Sequence, residues 1–239
     1  YSVAINFNTG STNIGTILAT ANNALGTGAV AAQYQTGATG LQVQLSGGIT
    51  LGNAFTTTGA GAAGGLSGII RSVTGANVLT GNVTLTGGGG SSTYRADSGA
   101  SLAFNGNIGA DTIPSRYIIL VGAGNFSFGS AGSIVQTLTA SGTTGLWSTN
   151  TGTTTINSTA NTYALVTAIG AGNTVVVANL SNGGVAGSLG AARGRRGRPC
   201  GGSGRRGFGA HAKEAAEVGP GGLVGRLLGG PARDTRQRS

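Results

Sequence analysis

The feature that most limits what this chain can become is the shortness of its apolar bursts. Several alternate with a period of two. In LQVQLS, Leu41, Val43 and Leu45 fall on one face and Gln42 and Gln44 on the other. NVTLTG repeats the pattern with Val83 and Leu85, SLAFNG with Leu102 and Phe104, and NFSFGS with Phe126 and Phe128. This is the signature of strands of about 4–6 residues with one buried face. Other bursts are nearly continuous: YIILVG (117–122), SIVQTLT (133–139) and NTVVVANL (173–180). Gly, Asn and Ser fill the gaps, and these residues suit tight turns. Nowhere before Arg193 does the sequence sustain a helical period with caps. The expected fold class is all-β.

Composition narrows the architecture. Only 5% of residues are aromatic and 8% charged, against about 25% charged in ordinary domains. With 49 glycines as well, such a chain has little to fill a thick core, and suits a fold that builds its core in many thin layers. An antiparallel sandwich or barrel is one option. A parallel β-helix is the other, and the side chains favour it. Thr and Asn together supply a quarter of the chain before Arg193, and coils stacked about 4.8 Å apart let Thr and Asn form ladders. The spacing between bursts is uneven, so the coils are expected to be irregular. Residues 10–32 and 170–192 also align as a weak internal repeat.

Charge divides the chain at Arg193. Residues 1–192 hold Arg71, Arg95, Arg116, Asp97 and Asp111, a net charge of +1. Residues 193–239 hold ten Arg, one Lys and three acids, a net +8. Residues 1–192 thus offer no basic face to nucleic acid. From Arg193 onward only Thr235 is Thr or Asn. Few large apolar side chains and high like charge predict a disordered basic tail over 193–239. One reading makes it an Arg/Gly-rich segment that neutralises phosphates. The other makes it out-of-frame translation of a GC-rich gene, which the abrupt loss of Thr and Asn favours. Translating the two other frames after codon 192 is the check. The single Cys, Cys200, lies in this tail, so residues 1–192 form no disulfide. The chain begins at Tyr1 with no leader-like segment and reads as a piece of a longer protein.

NALGTGAV (23–30), TTTINSTANTY (153–163) and NGGVAGSLGAA (182–192) resemble the autotransporter-associated β-strand repeat proteins of Gram-negative bacteria. The resemblance covers most of residues 1–192 and is strongest over 140–192. It implies a right-handed parallel β-helix, part of a secreted or surface-exposed passenger. It further implies a non-enzymatic structural stalk or adhesin, with a host or matrix carbohydrate or protein as partner. The family's outer-membrane barrel is not visible here, so attachment to that membrane would run through a segment outside this chain.

Candidate chemistry is sparse. A carbohydrate-active β-helix needs clustered carboxylates, and Asp97 and Asp111 are the only two acids in residues 1–192. The lone His, His211, sits in the tail, leaving no base for a nucleophilic Ser and no set of metal ligands. No cofactor is expected. GAGAAG (59–64) fits G-x-G-x-x-G, but in so glycine-rich a chain the match arises by chance, and no acid follows about 20 residues later. The segment 105–117 holds Asp111, Pro114 and Arg116; Pro is excluded from central ladders, so a loop leaving the solenoid is expected there, an ordinary connection in the first reading and a weak candidate interaction loop in the second. Trp147 is the remaining candidate. A sugar-stacking platform is one role for it, but a core or cap position is the commoner fate of Trp. Nucleic-acid binding through the tail and a carbohydrate-active enzyme remain the alternative functions. Ice binding ranks below both, because no strict T-x-T array runs through the sequence.

Overall fold

The structure, a computed structural model, describes residues 4–6, 15–33, 42–59, 67–86, 91–110, 116–129, 144–182 and 185–190. Leu41, the burst at 133–139, Asp111, Pro114, residues 60–64 of the glycine motif and the tail from Arg193 lie outside the described residues. In chain order the strands are β1 (Ile5–Asn6), β2 (Thr16–Ala19), β3 (Val30–Gln33), β4 (Gln42–Ser46), β5 (Thr50–Leu51), β6 (Phe55–Thr58), β7 (Ile70–Thr74), β8 (Ala76–Leu79), β9 (Val83–Leu85), β10 (Ser91–Ala96), β11 (Ser101–Phe104), β12 (Ile108–Ala110), β13 (Arg116–Val121), β14 (Asn125–Phe128), β15 (Thr144–Ser148), β16 (Thr153–Ile156), β17 (Thr167–Ile169) and β18 (Thr174–Val177). No helix occurs among the described residues.

These strands fall into three parallel sheets, which the chain visits in rotation from β4 to β14, while β15 to β18 alternate between two of them. A five-stranded sheet runs β1-β3-β6-β9-β12, a seven-stranded sheet runs β17-β15-β13-β10-β7-β4-β2, and a six-stranded sheet runs β18-β16-β14-β11-β8-β5. Every pairing is parallel. The fold is therefore a parallel β-solenoid, and the antiparallel sandwich falls away. Its coils are irregular: the step from Leu146 to its partner Thr167 uses a shorter stretch of chain than the step from Arg116 to its partner Thr144. The repeat read between 10–32 and 170–192 does not mark equivalent positions, since it lays β2 of the seven-stranded sheet against β18 of the six-stranded one.

The core follows from register. Side chains that share a register position stack into columns one coil apart. Leu51, Leu79, Phe104, Phe128, Ile156 and Val177 form one column on the six-stranded sheet. Ile5, Val30, Phe55, Val83 and Ile108 form another on the five-stranded sheet. Val43, Ile70, Tyr94 and Leu120 face them from the seven-stranded sheet. Where aromatics meet they obey ring geometry: Phe104 and Phe128 stack at 5.3 Å and 13°, and Tyr94 meets Phe104 edge-on at 5.2 Å. The Tyr94 phenol is fully buried and hydrogen-bonds Thr57 Oγ1 at 2.8 Å. Burial holds its pKa well above the usual value, although the Thr57 and Ser92 hydroxyls pull the other way. Tyr163, also buried, is pushed up to about 12 by the same cause, against its hydrogen bond with Thr167.

Period-two reading succeeded inside the strands. Val83, Leu85, Leu102, Phe104, Phe126 and Phe128 are all buried. The continuous burst at 117–122 also resolves into alternation, with Ile118 and Leu120 buried and Tyr117, Ile119 and Val121 half-buried on the outer side. Gln42 differs from its expected outward, wet position. It is 1% exposed, because its amide donates to the Gly68 carbonyl at 2.8 Å and accepts from Gln44 Nε2 at 2.7 Å. A buried amide is tolerated when both ends are bonded.

Corners are held by asparagines that reach one coil over. Asn22 Oδ1 accepts from the Thr50 amide at 2.7 Å, Asn82 Oδ1 from the Asn107 amide at 3.0 Å and Asn125 Oδ1 from the Thr153 amide at 2.8 Å. Asn77 Oδ1 takes both the Gly48 and Ile49 amides. These bonds satisfy backbone groups that turn away from the sheets, each contributing about 1 kcal/mol. Thr58 and Thr86, hydroxyl to hydroxyl at 2.8 Å, are one rung of the expected Thr ladder. Glycine is required where corners touch: a Cβ on Gly106 would run into the carbonyl of Gly81 in the coil below. The Asn105-Gly106 dipeptide, a favoured hairpin turn elsewhere, thus serves here as a corner between β11 and β12.

Phe128→Ala should cost about 3–5 kcal/mol of unfolding free energy in urea titrations, as expected for a core aromatic. Its outward neighbour changed as Ser127→Ala should stay within about 0.5 kcal/mol.

Candidate functional site

The outer side of the seven-stranded sheet gathers nearly all the chemistry of the described residues. Register places Arg71 of β7 beside Arg95 of β10, and Gln44 of β4 beside Arg71. Two guanidiniums one rung apart would repel. Asp97, just past the end of β10, resolves this. Arg71 donates to its Oδ2 through Nε at 2.9 Å and through Nη2, and Arg95 Nε donates to its Oδ1 at 2.8 Å. All three side chains are less than one-fifth exposed, so the array is held in a fixed geometry. Burial alone would raise the Asp97 carboxyl. Hydrogen bonds from Arg71 and Arg95 and their positive charge outweigh it and keep the pKa below the ordinary carboxylate value.

One rung further along, the same face turns aromatic. Tyr117 of β13 pairs with Gly145 of β15, and Ile119 with Trp147. The Tyr117 and Trp147 rings lie 4.7 Å apart at 39°. Gly145 makes this possible: a Cβ there would meet Tyr117 Cδ1 and Cε1 at 2.7 Å. The Tyr117 ring therefore leans across β15 onto Trp147. Ala168 of β17 sits beside Trp147 in register, and the exposed Val166 precedes that strand. The face thus has an ionic half, Gln44–Arg71–Arg95–Asp97, and an aromatic half, Tyr117–Trp147. Arg71 on β7 and Trp147 on β15 are three rungs apart and in different rows: Arg71 and Arg95 align with Val121, whereas Trp147 aligns with Ile119, two residues earlier on β13.

The sequence candidates land apart. Asp111 and Pro114 lie outside the described residues. Arg116 is not on a loop: it opens β13, is 8% exposed and pairs in register with Thr144. The loop expected over 105–117 is interrupted by β12 and ends where β13 begins. Trp147, favoured from sequence for the core, is 38% exposed on the outer face. Asp97, one of only two acids in residues 1–192, is the centre of the ionic array. Arg71, Arg95 and Tyr117 were not singled out. Their only sequence signal was spacing, since Arg71 and Arg95 are separated by the length of one coil.

A general acid needs a raised pKa, and Asp97 has a lowered one. Among the described residues no group of three or more His, Cys, Asp or Glu comes together to hold a metal. Comparisons with protein-family models, curated proteins and solved structures found no match.

The stabilising contribution of Asp97 should be complete above its unfolded value near pH 4 and lost as pH falls through its lower folded value. Thermal melts from pH 6 to pH 2 should therefore decline more steeply for the parent than for Asp97→Asn, which should start lower and change less.

Proposed function

We propose that the chain is a segment of a secreted or surface-exposed β-helical passenger that acts without catalysis, its seven-stranded face serving as the interaction surface. The observation that carries this reading is the clustering on one face of Trp147, Tyr117, Arg71, Arg95 and Asp97, when residues 1–192 otherwise hold only Arg116 and Asp111 as charged residues. Rigid aromatic and Arg side chains are the groups that dominate binding surfaces. A parallel solenoid holds them on strands rather than on loops, so little order is lost when a partner docks. The sequence resemblance to autotransporter-associated repeat proteins supports placement of the partner outside the cell, among host or matrix carbohydrates and proteins.

The test is a panel of matrix proteins and polysaccharides immobilised and probed with the purified full chain. Binding to at least one panel member is expected, with polymer length unchanged after incubation. Trp147→Ala should lose most of that binding with an unaltered far-ultraviolet circular dichroism spectrum. Polymer shortening, or equal binding by Trp147→Ala, would count against the proposal.

A further inference from the structure

We propose that the two ends of the solenoid fit one another, and that copies of this chain stack head to tail, β17 of one copy pairing in parallel with β2 of the next. The core shows where the stack is open. One inward column of the seven-stranded sheet runs in register through Ile17, Val43, Ile70, Tyr94, Leu120, Ser148 and Ile169. The five residues from Val43 to Ser148 are 0% exposed, whereas Ile17 is half-buried and Ile169 is 43% exposed. An inward slot is dry when a coil covers it on both sides, and these two are covered on one. The six-stranded sheet shows the same step at its far end, where Ile156 is buried and Val177, one coil on, is half-buried. Leu18 beside Ile17, and Val166, Leu180 and Val185 in the last coil, are more than half exposed.

Neither end carries the devices that keep sheet edges apart. Proteins protect an open edge with charge, with proline or with a polar capping coil. Every Arg and Asp of residues 1–192 lies between Arg71 and Arg116, so residues 1–70 and 117–192 hold no charged side chain. The one proline of residues 1–192 is Pro114, also in the middle. Among the described residues, β2 and β17 are the two end strands of the seven-stranded sheet.

Direction and charge select a second copy placed head to tail. All strands of this sheet run the same way, so a copy displaced along the axis brings its β2 onto β17 in the parallel pairing used at every other rung. That displacement also sets Ile17 on Ile169 and continues the apolar column. Two C-terminal ends meeting each other would instead pair β17 antiparallel with its copy. They would also set the starts of two +8 segments, the residues 193–239 that follow the last coil, against one another. A head-to-tail junction meets one such segment, against a first coil that carries no charged side chain. Such a contact is heterologous and does not close, so it builds open rows of solenoids.

The test is sedimentation velocity of the full chain over roughly a hundredfold range of concentration, at raised salt to screen the charge of residues 193–239. The parent's average mass should climb with concentration through the dimer and beyond. Ile169→Lys blocks one end and Ile17→Lys the other, because the junction would bury an unpaired ammonium. Each alone should sediment as a monomer where the parent is a dimer, its self-association weakened by about tenfold or more. Mixed, the two variants keep one intact end apiece and should form a dimer that grows no further. Each must match the parent's circular dichroism; Leu18→Lys, at an exposed position of β2, replaces Ile17→Lys if that variant does not. Trp147→Ala should associate as the parent does. A parent that stays monomeric throughout overturns the stacking, and so does a mixture that stays monomeric. Self-association of Ile17→Lys alone would mean that two like ends pair, and loss of association in Trp147→Ala would move the contact to the outer face; either result overturns the head-to-tail junction.

Discussion

The rest of the structure depends on coil-to-coil register. Each strand pairs in parallel with the strand one coil before and one coil after it, and this fixes which side chain lies on which. The core is thin, so buried apolar side chains find their main contacts in neighbouring coils and facing sheets. Phe104 is buried by Leu79 below, Phe128 above and Tyr94 from a different sheet. The same rule operates at the corners, where Asn side chains serve backbone groups of neighbouring coils, and on the surface, where Arg71 and Arg95 are brought together. A slip of one residue would exchange the inner and outer faces of every strand it touched, placing Arg95 inside and Tyr94 outside. Sparse aromatics and charges are thus concentrated in effect: a few well-registered residues do what a bulkier composition does in other folds.

Much of this was legible in the sequence. Alternation identified the inward side chains of β9, β11 and β14, because a period of two is a local property. Short bursts, abundant Gly, and Thr and Asn in place of aromatics pointed to stacked coils rather than a sandwich. What could not be read locally depended on coil length, which differs between the step from Arg116 to Thr144 and the step from Leu146 to Thr167. Arg71, Arg95 and Asp97 form a site only when β7 and β10 are aligned one coil apart. Without that length, Asp97 is only one of two acids too few to form a carboxylate cluster. Trp147 misled for a related reason: Trp is usually buried, but this one occupies an outward register slot next to a glycine that gives Tyr117 room to cover it. Gln42 followed the pattern in position and broke it in burial, because the Gly68 carbonyl and Gln44 supplied the bonds that water would have made.

The proposed interaction face is a consequence of the scaffold. Outward positions of a parallel sheet form straight rows along the axis, so one residue per coil builds a continuous stripe. In this chain the seven-stranded face carries an ionic row through Arg71 and Arg95 and, in a neighbouring row two residues away along the strands, Trp147, while the row through Ala31, Thr56, Thr84 and Gly109 on the five-stranded sheet carries only small side chains. The difference between faces lies in which residues occupy equivalent slots, since the backbone of each is the same parallel ladder.

Register itself can be measured directly. In a Cys200→Ser background, Thr56→Cys with Thr84→Cys places two thiols on paired, half-buried positions of β6 and β9, at the Cα separation a disulfide requires. Mild oxidation should give a near-complete intramolecular cross-link, whereas Thr56→Cys with Asn82→Cys, two positions out of register, should give little. A cross-link in the second pair and none in the first would contradict the parallel register on which the fold and its outer face both rest.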